Sequence, residues 1–328
     1  MVGLKLEAVY GVPVLMSGIA CLMLNEHEIT TLDKHLKDTY LNIQKLLQNT
    51  PRPVVHFLGG TLPGTAVIHL RMLTLFGMVA RLQGDPLRIH AEYVLTSAKK
   101  SSKSWFLLVR DICLLYDLPH PLTILKYPPS KDVLKKYAKA KIMSYWEVKL
   151  RGESSLLPSL KYFHPERMSL TKPHPIWLTA GSNPHEISKA VQQARFLSGR
   201  YRSACLTKHW ANNNREGYCL APGCHNKVET IEHILVQCDS YFACRRRLLS
   251  LWLSTANRVV LHLLLEALSS ETEYFVQFLM DCSVLPQVVT ATQIHGFTIL
   301  NELFYLTRSW CFSLHRQRMR FLGRWNFQ

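Results

Sequence analysis

The sequence predicts a mainly α-helical protein with one small metal-stabilised lobe, on three observations. Apolar residues recur at three- and four-residue spacing through much of the chain, and prolines and glycines stand where helices start and stop. Three cysteines and two histidines are gathered between Cys219 and Cys238. With 328 residues, 48% of them hydrophobic and 19% charged, the chain is long and apolar enough to bury a sizeable core, which excludes wholesale disorder.

Four regions are expected: a helical region at 1–96, a basic helical and connector region at 97–181, a metal-binding lobe at 182–244 and a C-terminal helical region at 245–328. In the first, Ile29, Leu32, Leu36, Tyr40, Ile43 and Leu47 form one apolar stripe, so residues 28–47 read as a helix that Thr50-Pro51-Arg52-Pro53 ends. The stretch GGTLPGT (59–65) is a loop before another helix at 66–82. In the second region Ser130 caps a helix running to residue 150, with Leu134, Tyr137, Ile142, Tyr145 and Trp146 inward and Lys131, Lys135, Lys136 and Lys139 on the remaining arc.

Residues 151–181 hold Pro158, Pro165, Pro173 and Pro175 with little periodicity, and read as a loop-rich connector pegged by Tyr162, Phe163 and Trp177. His120-Pro121, His164-Pro165 and His174-Pro175 read as proline-locked extended segments rather than a second metal site. Asn183-Pro184-His185-Glu186 has the form of a capping box opening a helix to Ser198, with Gly199 as its left-handed stop. The last region is helical, closing on an amphipathic helix from about 292 to 322 whose end carries Arg316, Arg318, Arg320 and Arg324.

Cys219-x4-Cys224-x8-His233-x4-Cys238 supplies three thiolates and an imidazole, a full tetrahedral set for a structural zinc. Pro222-Gly223 gives the tight turn between the first pair. On an α-helix, residues 233 and 238 would point apart, so Cys238 is expected at or beyond the end of a short helix starting near Thr230. His225 competes with His233, and Cys205 and Cys244 are further candidates. Five of the nine cysteines (Cys205, Cys219, Cys224, Cys238, Cys244) cluster, a pattern that suggests metal rather than disulfides in a reducing compartment.

The formal charge of +16 is uneven: residues 126–215 hold 17 Lys and Arg against 5 Asp and Glu, an excess of 12 suited to a polyanion. Lys131, Lys135 and Lys139, with Arg195, Arg200, Arg202 and Lys208 interleaved by Phe196, Tyr201 and Trp210, are the expected RNA or DNA contacts, cations for phosphates and rings for bases. The opening residues lack the form of a secretory signal, and the longest apolar run, 11–25, is shorter than the roughly 20 residues a bilayer needs, so an intracellular protein, nuclear or cytoplasmic, with no membrane partner is expected.

Three stretches in order, PVLMSGIACLMLNEHEI with LQNTPRPVVHFLGGTLPGTAVIHLRMLTLFGMVARL, then FHPERMSLTKPHPIWLTAGSNPHE, then ARFLSGRYRS with GYCLAPGC and VETIEHILVQC, resemble the region after the polymerase core in non-LTR (LINE-type) retrotransposon reverse transcriptases. The resemblance implies a thumb-like first hundred residues and a zinc-knuckle-like role for Cys219, Cys224, His233 and Cys238. It also implies RNA and target-DNA binding during target-primed reverse transcription. Polymerase chemistry needs paired aspartates holding two metal ions, and the chain contains no Asp-Asp; after Cys238 its only aspartates, Asp239 and Asp281, follow no proline, as a restriction-like nuclease would require. No phosphate-binding loop or nucleophile elbow is present either. A non-catalytic, truncated nucleic-acid-binding remnant is therefore expected, the alternative being a zinc-stabilised protein-interaction module without nucleic-acid affinity.

Overall fold

The computed structural model describes residues 18–97, 103–207, 217–224 and 227–323. It is mainly helical, and among the described residues there is no β-strand, only a single backbone bridge between Tyr218 and Val228. The helices are α1 (Glu26–Gln44), α2 (Arg52–Gly59), α3 (Gly64–Ala80), α4 (Pro86–Ser97), α5 (Trp105–Leu115), α6 (Pro121–Lys126), α7 (Lys131–Ser155), α8 (Pro175–Leu178), α9 (Pro184–Leu197), α10 (Ala204–Thr207), α11 (Phe242–Thr255), α12 (Arg258–Ser269), α13 (Thr272–Asp281), α14 (Pro286–His295) and α15 (Phe297–Phe321).

The first lobe is built around α3. Its sequence is apolar almost all round and it buries Ile68, Met72, Leu73, Phe76 and Val79, so it needs neighbours on several sides. α1, α5, α6 and α7 supply them. Gly77 lets Leu134 of α7 close in on α3. α1 starts one turn earlier than the apolar stripe suggests, on a capping box between Asn25 and Glu28, and stops at Gln44 with Lys45 left-handed at φ 51°. The prolines at 51 and 53 therefore do not end α1; Pro53 sits in the first turn of α2, where its missing N–H costs nothing.

α7 packs on α2 and α3, so the basic helix belongs to the first lobe's core rather than standing apart from it. It buries Leu134, Ala138, Ile142, Trp146 and Leu150, whereas Tyr137, expected inward, is exposed. Ser130 caps it by accepting from the Val133 N–H.

The connector is compact. Tyr162, Phe163 and Trp177 are buried as expected, and short turns rather than extended chain link them. Two of the His-Pro pairs prove to be helix starts: His120 and His174 each turn Nδ1 back to accept the N–H two residues on, with the proline opening α6 and α8. The His174 N–H donates to the Leu58 carbonyl, and Gly60, left-handed at φ 61°, leaves no room for a Cβ against the Lys172–Pro173 backbone.

The second lobe is built around α15, against which α9, α11, α13 and α14 pack. Gly296 breaks the chain before it, so the terminal helix begins at Phe297 rather than near 292. Asn183 caps α9 by accepting from the His185 N–H, but Glu186 does not complete a box; it binds Arg308 of α15 at 2.7 Å and Lys189 at 2.7 Å. The stretch Thr272–His295 is long and apolar enough to cross a membrane, yet 67% of its most apolar window is buried inside the protein, as a core helix would be.

Candidate metal centre

Two short strands of chain frame the site. Tyr218 bridges Val228, the Cys219 N–H donates to the Lys227 carbonyl and the Glu229 N–H donates to the Gly217 carbonyl, so the segments on either side of the first cysteine pair are pinched together. Between them the Cys224 N–H reaches the Ala221 carbonyl across Pro222-Gly223, and Gly223 has φ 75°, the proline-then-glycine order of a type II turn. That turn sets Cys224 back toward Cys219.

The second half is helical, with the His233 N–H capped by the Thr230 hydroxyl. Residues His233–Gln237 form a π turn closed by the Cys238 N–H on the His233 carbonyl at 2.8 Å. The wider i to i+5 turn brings residue 238 round to the face of residue 233, which an α-turn would not do. Cys238 itself is extended, at the end of the helix where the sequence requires it.

All four groups are buried, and their ligand atoms lie within 4.8 Å of one another. Cys219 Sγ is 3.9 Å from Cys238 Sγ, and Cys224 Sγ is 3.2 Å from His233 Nε2. Tetrahedral bonds of about 2.3 Å to sulfur and 2.0 Å to nitrogen would set those separations at about 3.8 and 3.5 Å, so these two pairs match a four-coordinate ion to within a few tenths of an ångström. Burial pushes the Cys219 thiol up to about 12 and raises that of Cys224, while burial lowers His233 from its ordinary value. Three thiolates in such a place need a cation to offset their charge. An ion held by all four groups has no open position for a substrate or water.

Among the described residues, Cys205 and Cys244 stand outside this group; His225 and Lys208 lie outside the described residues, as do His209 and Trp210. The other expected contacts divide. Lys131, Lys135 and Lys139 are exposed along one face of α7. Arg202 is exposed, but Arg195 is half-buried and gives two hydrogen bonds, 3.0 and 2.8 Å, to the Lys45 carbonyl at the end of α1. Arg200 is also half-buried, with its Nε enclosed. Phe196 and Tyr201 are core residues stacked at 3.8 Å, with Arg318 over the Tyr201 ring, so neither ring is open to a base.

Residues that sequence reasoning passed over fasten the knuckle to the rest. Glu229, almost wholly buried, accepts from Arg318 Nε at 2.9 Å and Nη2 at 2.7 Å, and from the Ala204 N–H. Trp310 Nε1 donates to the Leu235 carbonyl inside the π turn, and the Tyr162 hydroxyl donates to Glu232 at 2.6 Å. Glu229 and Glu232 were visible as acids beside a ligand in a basic chain, but their partners lie 89 and 70 residues away.

No protein family, curated protein or solved structure matches the chain. The fold and site define a mainly helical protein with a buried Cys3His group able to hold a metal ion.

Proposed function

We propose that this protein is a non-catalytic nucleic-acid-binding remnant of a non-LTR retrotransposon reverse transcriptase, in which a structural zinc orders the knuckle between Cys219 and Cys238. The observation that carries the reading is the closed ligand set: four buried donors, thiol-rich and without an open position, suit a zinc that shapes the protein rather than one that reacts. The formal charge of +16 and the lysine face of α7 support a polyanionic partner, and the motif resemblance supports RNA or DNA as that partner. The absence of paired aspartates from the sequence supports a binding rather than a catalytic role.

The test is fluorescence anisotropy of labelled RNA and DNA over a range of salt, on the parent and on a Cys219→Ser/Cys224→Ser variant. Binding that weakens steeply with salt in the parent, and weakens further in the variant as its zinc is lost, is expected. A parent that keeps its zinc and binds neither nucleic acid would instead make the chain a zinc-stabilised protein-interaction module.

A further inference from the structure

α11 starts directly beyond the turn Asp239–Tyr241 that follows the last metal ligand. Its inner face is fixed by Leu248 and Trp252, the latter packed against Trp310 of α15 with ring centres 4.9 Å apart. The opposite face is therefore committed to solvent. It carries Phe242, Arg246, Ser250 and Ser254 in one row and Ala243, Arg247 and Leu251 in the next, around a shallow trough of about 600 Å³.

Three properties of this face stand together. Phe242 is 60% exposed, an aromatic ring left in water at the head of a basic row. Arg246 and Arg247 are exposed and have neither hydrogen bond nor ion pair among the described residues, whereas Arg151, Arg308 and Arg318 are each paired to a glutamate. The helix itself, FACRRRLLSLWLST, contains no acid; the nearest one before it, Asp239, faces Lys227 at 3.8 Å.

A partner for this face must be anionic and must also offer flat apolar surface. A nucleic-acid strand alternates the two: guanidinium groups take phosphate oxygens in pairs, and a ring such as Phe242 stacks on a base. A peptide of acidic residues alone would satisfy the arginines and leave the ring uncovered. The face has no Asn, Gln, Asp or Glu with which to read adenine or cytosine edges, and with its two arginines on phosphates the stacking of Phe242, which any base can satisfy, leaves recognition largely tolerant of sequence.

We infer that the outward face of α11, centred on Phe242, Arg246 and Arg247, is a sequence-tolerant contact surface for single-stranded nucleic acid. The inference rests on the nucleic-acid-binding reading above and specifies where on the metal-bearing lobe the strand lies.

The test titrates the full chain with a fluorescein-labelled single-stranded RNA of mixed sequence, and with DNA of the same sequence, across a range of salt. Each single-strand phosphate contact contributes about 0.7 to the slope of log K against log salt. Arg246→Gln/Arg247→Gln should therefore lower the slope by about 1.4 and weaken binding about 25-fold near about 0.1 M salt. Phe242→Ala should weaken binding at least about fivefold with the slope unchanged, since stacking releases no counterions. Arg246→Lys/Arg247→Lys should restore the slope, and all three variants should keep the parent's metal content.

If the glutamine variant matches the parent in slope and affinity while Lys131→Gln/Lys135→Gln/Lys139→Gln does not, the surface is on α7: this inference falls and the nucleic-acid-binding reading stands. A parent that binds neither RNA nor DNA overturns both. A parent from which poly-glutamate displaces the RNA as readily as unlabelled RNA does also overturns the inference.

Discussion

The two central helices, α3 and α15, are both buried, yet they hold their lobes together in different ways. α3 presents apolar side chains in nearly every direction, and its one buried ring nitrogen contact, His69 Nδ1 with the Tyr116 hydroxyl at 2.8 Å, is sealed within that core. α15 buries Thr307, Arg308 and Arg318 as well as its apolar face, and directs them at Gln193, Glu186 and Glu229. The first lobe is stabilised chiefly by apolar burial. The knuckle in the second contributes few large apolar side chains, mainly Ile234, Leu235 and Tyr241, and is fastened by directed bonds from Arg318, Trp310 and Tyr162 beside a Cys3His group able to hold a metal ion. A segment that small lacks the apolar mass to order itself, which is the condition under which proteins use metal.

The largest expected effect comes from removing the metal. Chelation should raise amide hydrogen exchange throughout 217–224 and 227–241 and along the part of α15 facing them, while exchange in α3 and α7 stays as it was. Equal protection in both lobes after chelation would erase the contrast between them.

Next in size is Glu229→Gln. It leaves Cys219, Cys224, His233 and Cys238 in place but strands Arg318, a buried charge with no other carboxylate partner among the described residues, at a cost of about 3–5 kcal/mol. Denaturant unfolding followed by exchange should show the second lobe losing stability and the first unaffected. A loss confined to a few tenths of a kcal/mol would mean the pair is not a fastening point.

Acid should weaken both lobes, more gently. Burial pushes His56 down to about 3, with Arg52 adding to the shift, and pushes His69 and His315 down to about 4 from an ordinary 6.5. Because the unfolded chain takes up protons first, this stability is complete above 6.5 and is lost as the pH falls toward those values. Each histidine then contributes a slope of about 1.4 kcal/mol per pH unit, or about 2 kcal/mol at pH 5. His56 and His69 lie in the first lobe and His315 in the second, so the share of acid weakening owed to buried histidines is larger in the first; in denaturant unfolding between pH 7 and 5, His56→Gln should flatten the pH dependence of that lobe.

What could be read in advance follows the same division between near and distant partners. The helical class, the capping of α7 by Ser130 and the gathering of Cys219, Cys224, His233 and Cys238 were legible because each depends on residues close in sequence. So was the position of Cys238 beyond a helix end, though not the π turn that achieves it. The end of α1 was misplaced because Lys45 adopts a left-handed conformation without a glycine, and Tyr137 because it lies on the exposed lysine-bearing arc of α7, with Lys141 over its ring. Glu186 and Arg195 illustrate the harder case. Each fits a local pattern, a capping box and a basic patch, but each is taken by a partner, Arg308 or the Lys45 carbonyl, more than a hundred residues away.

The central claim is that Cys219, Cys224, His233 and Cys238 together hold one structural zinc. Native mass spectrometry of the purified chain beside Cys219→Ser/Cys224→Ser tests it most directly. One zinc per chain is expected in the parent and none in the variant. A parent free of metal, or a variant that retains its zinc, would contradict it.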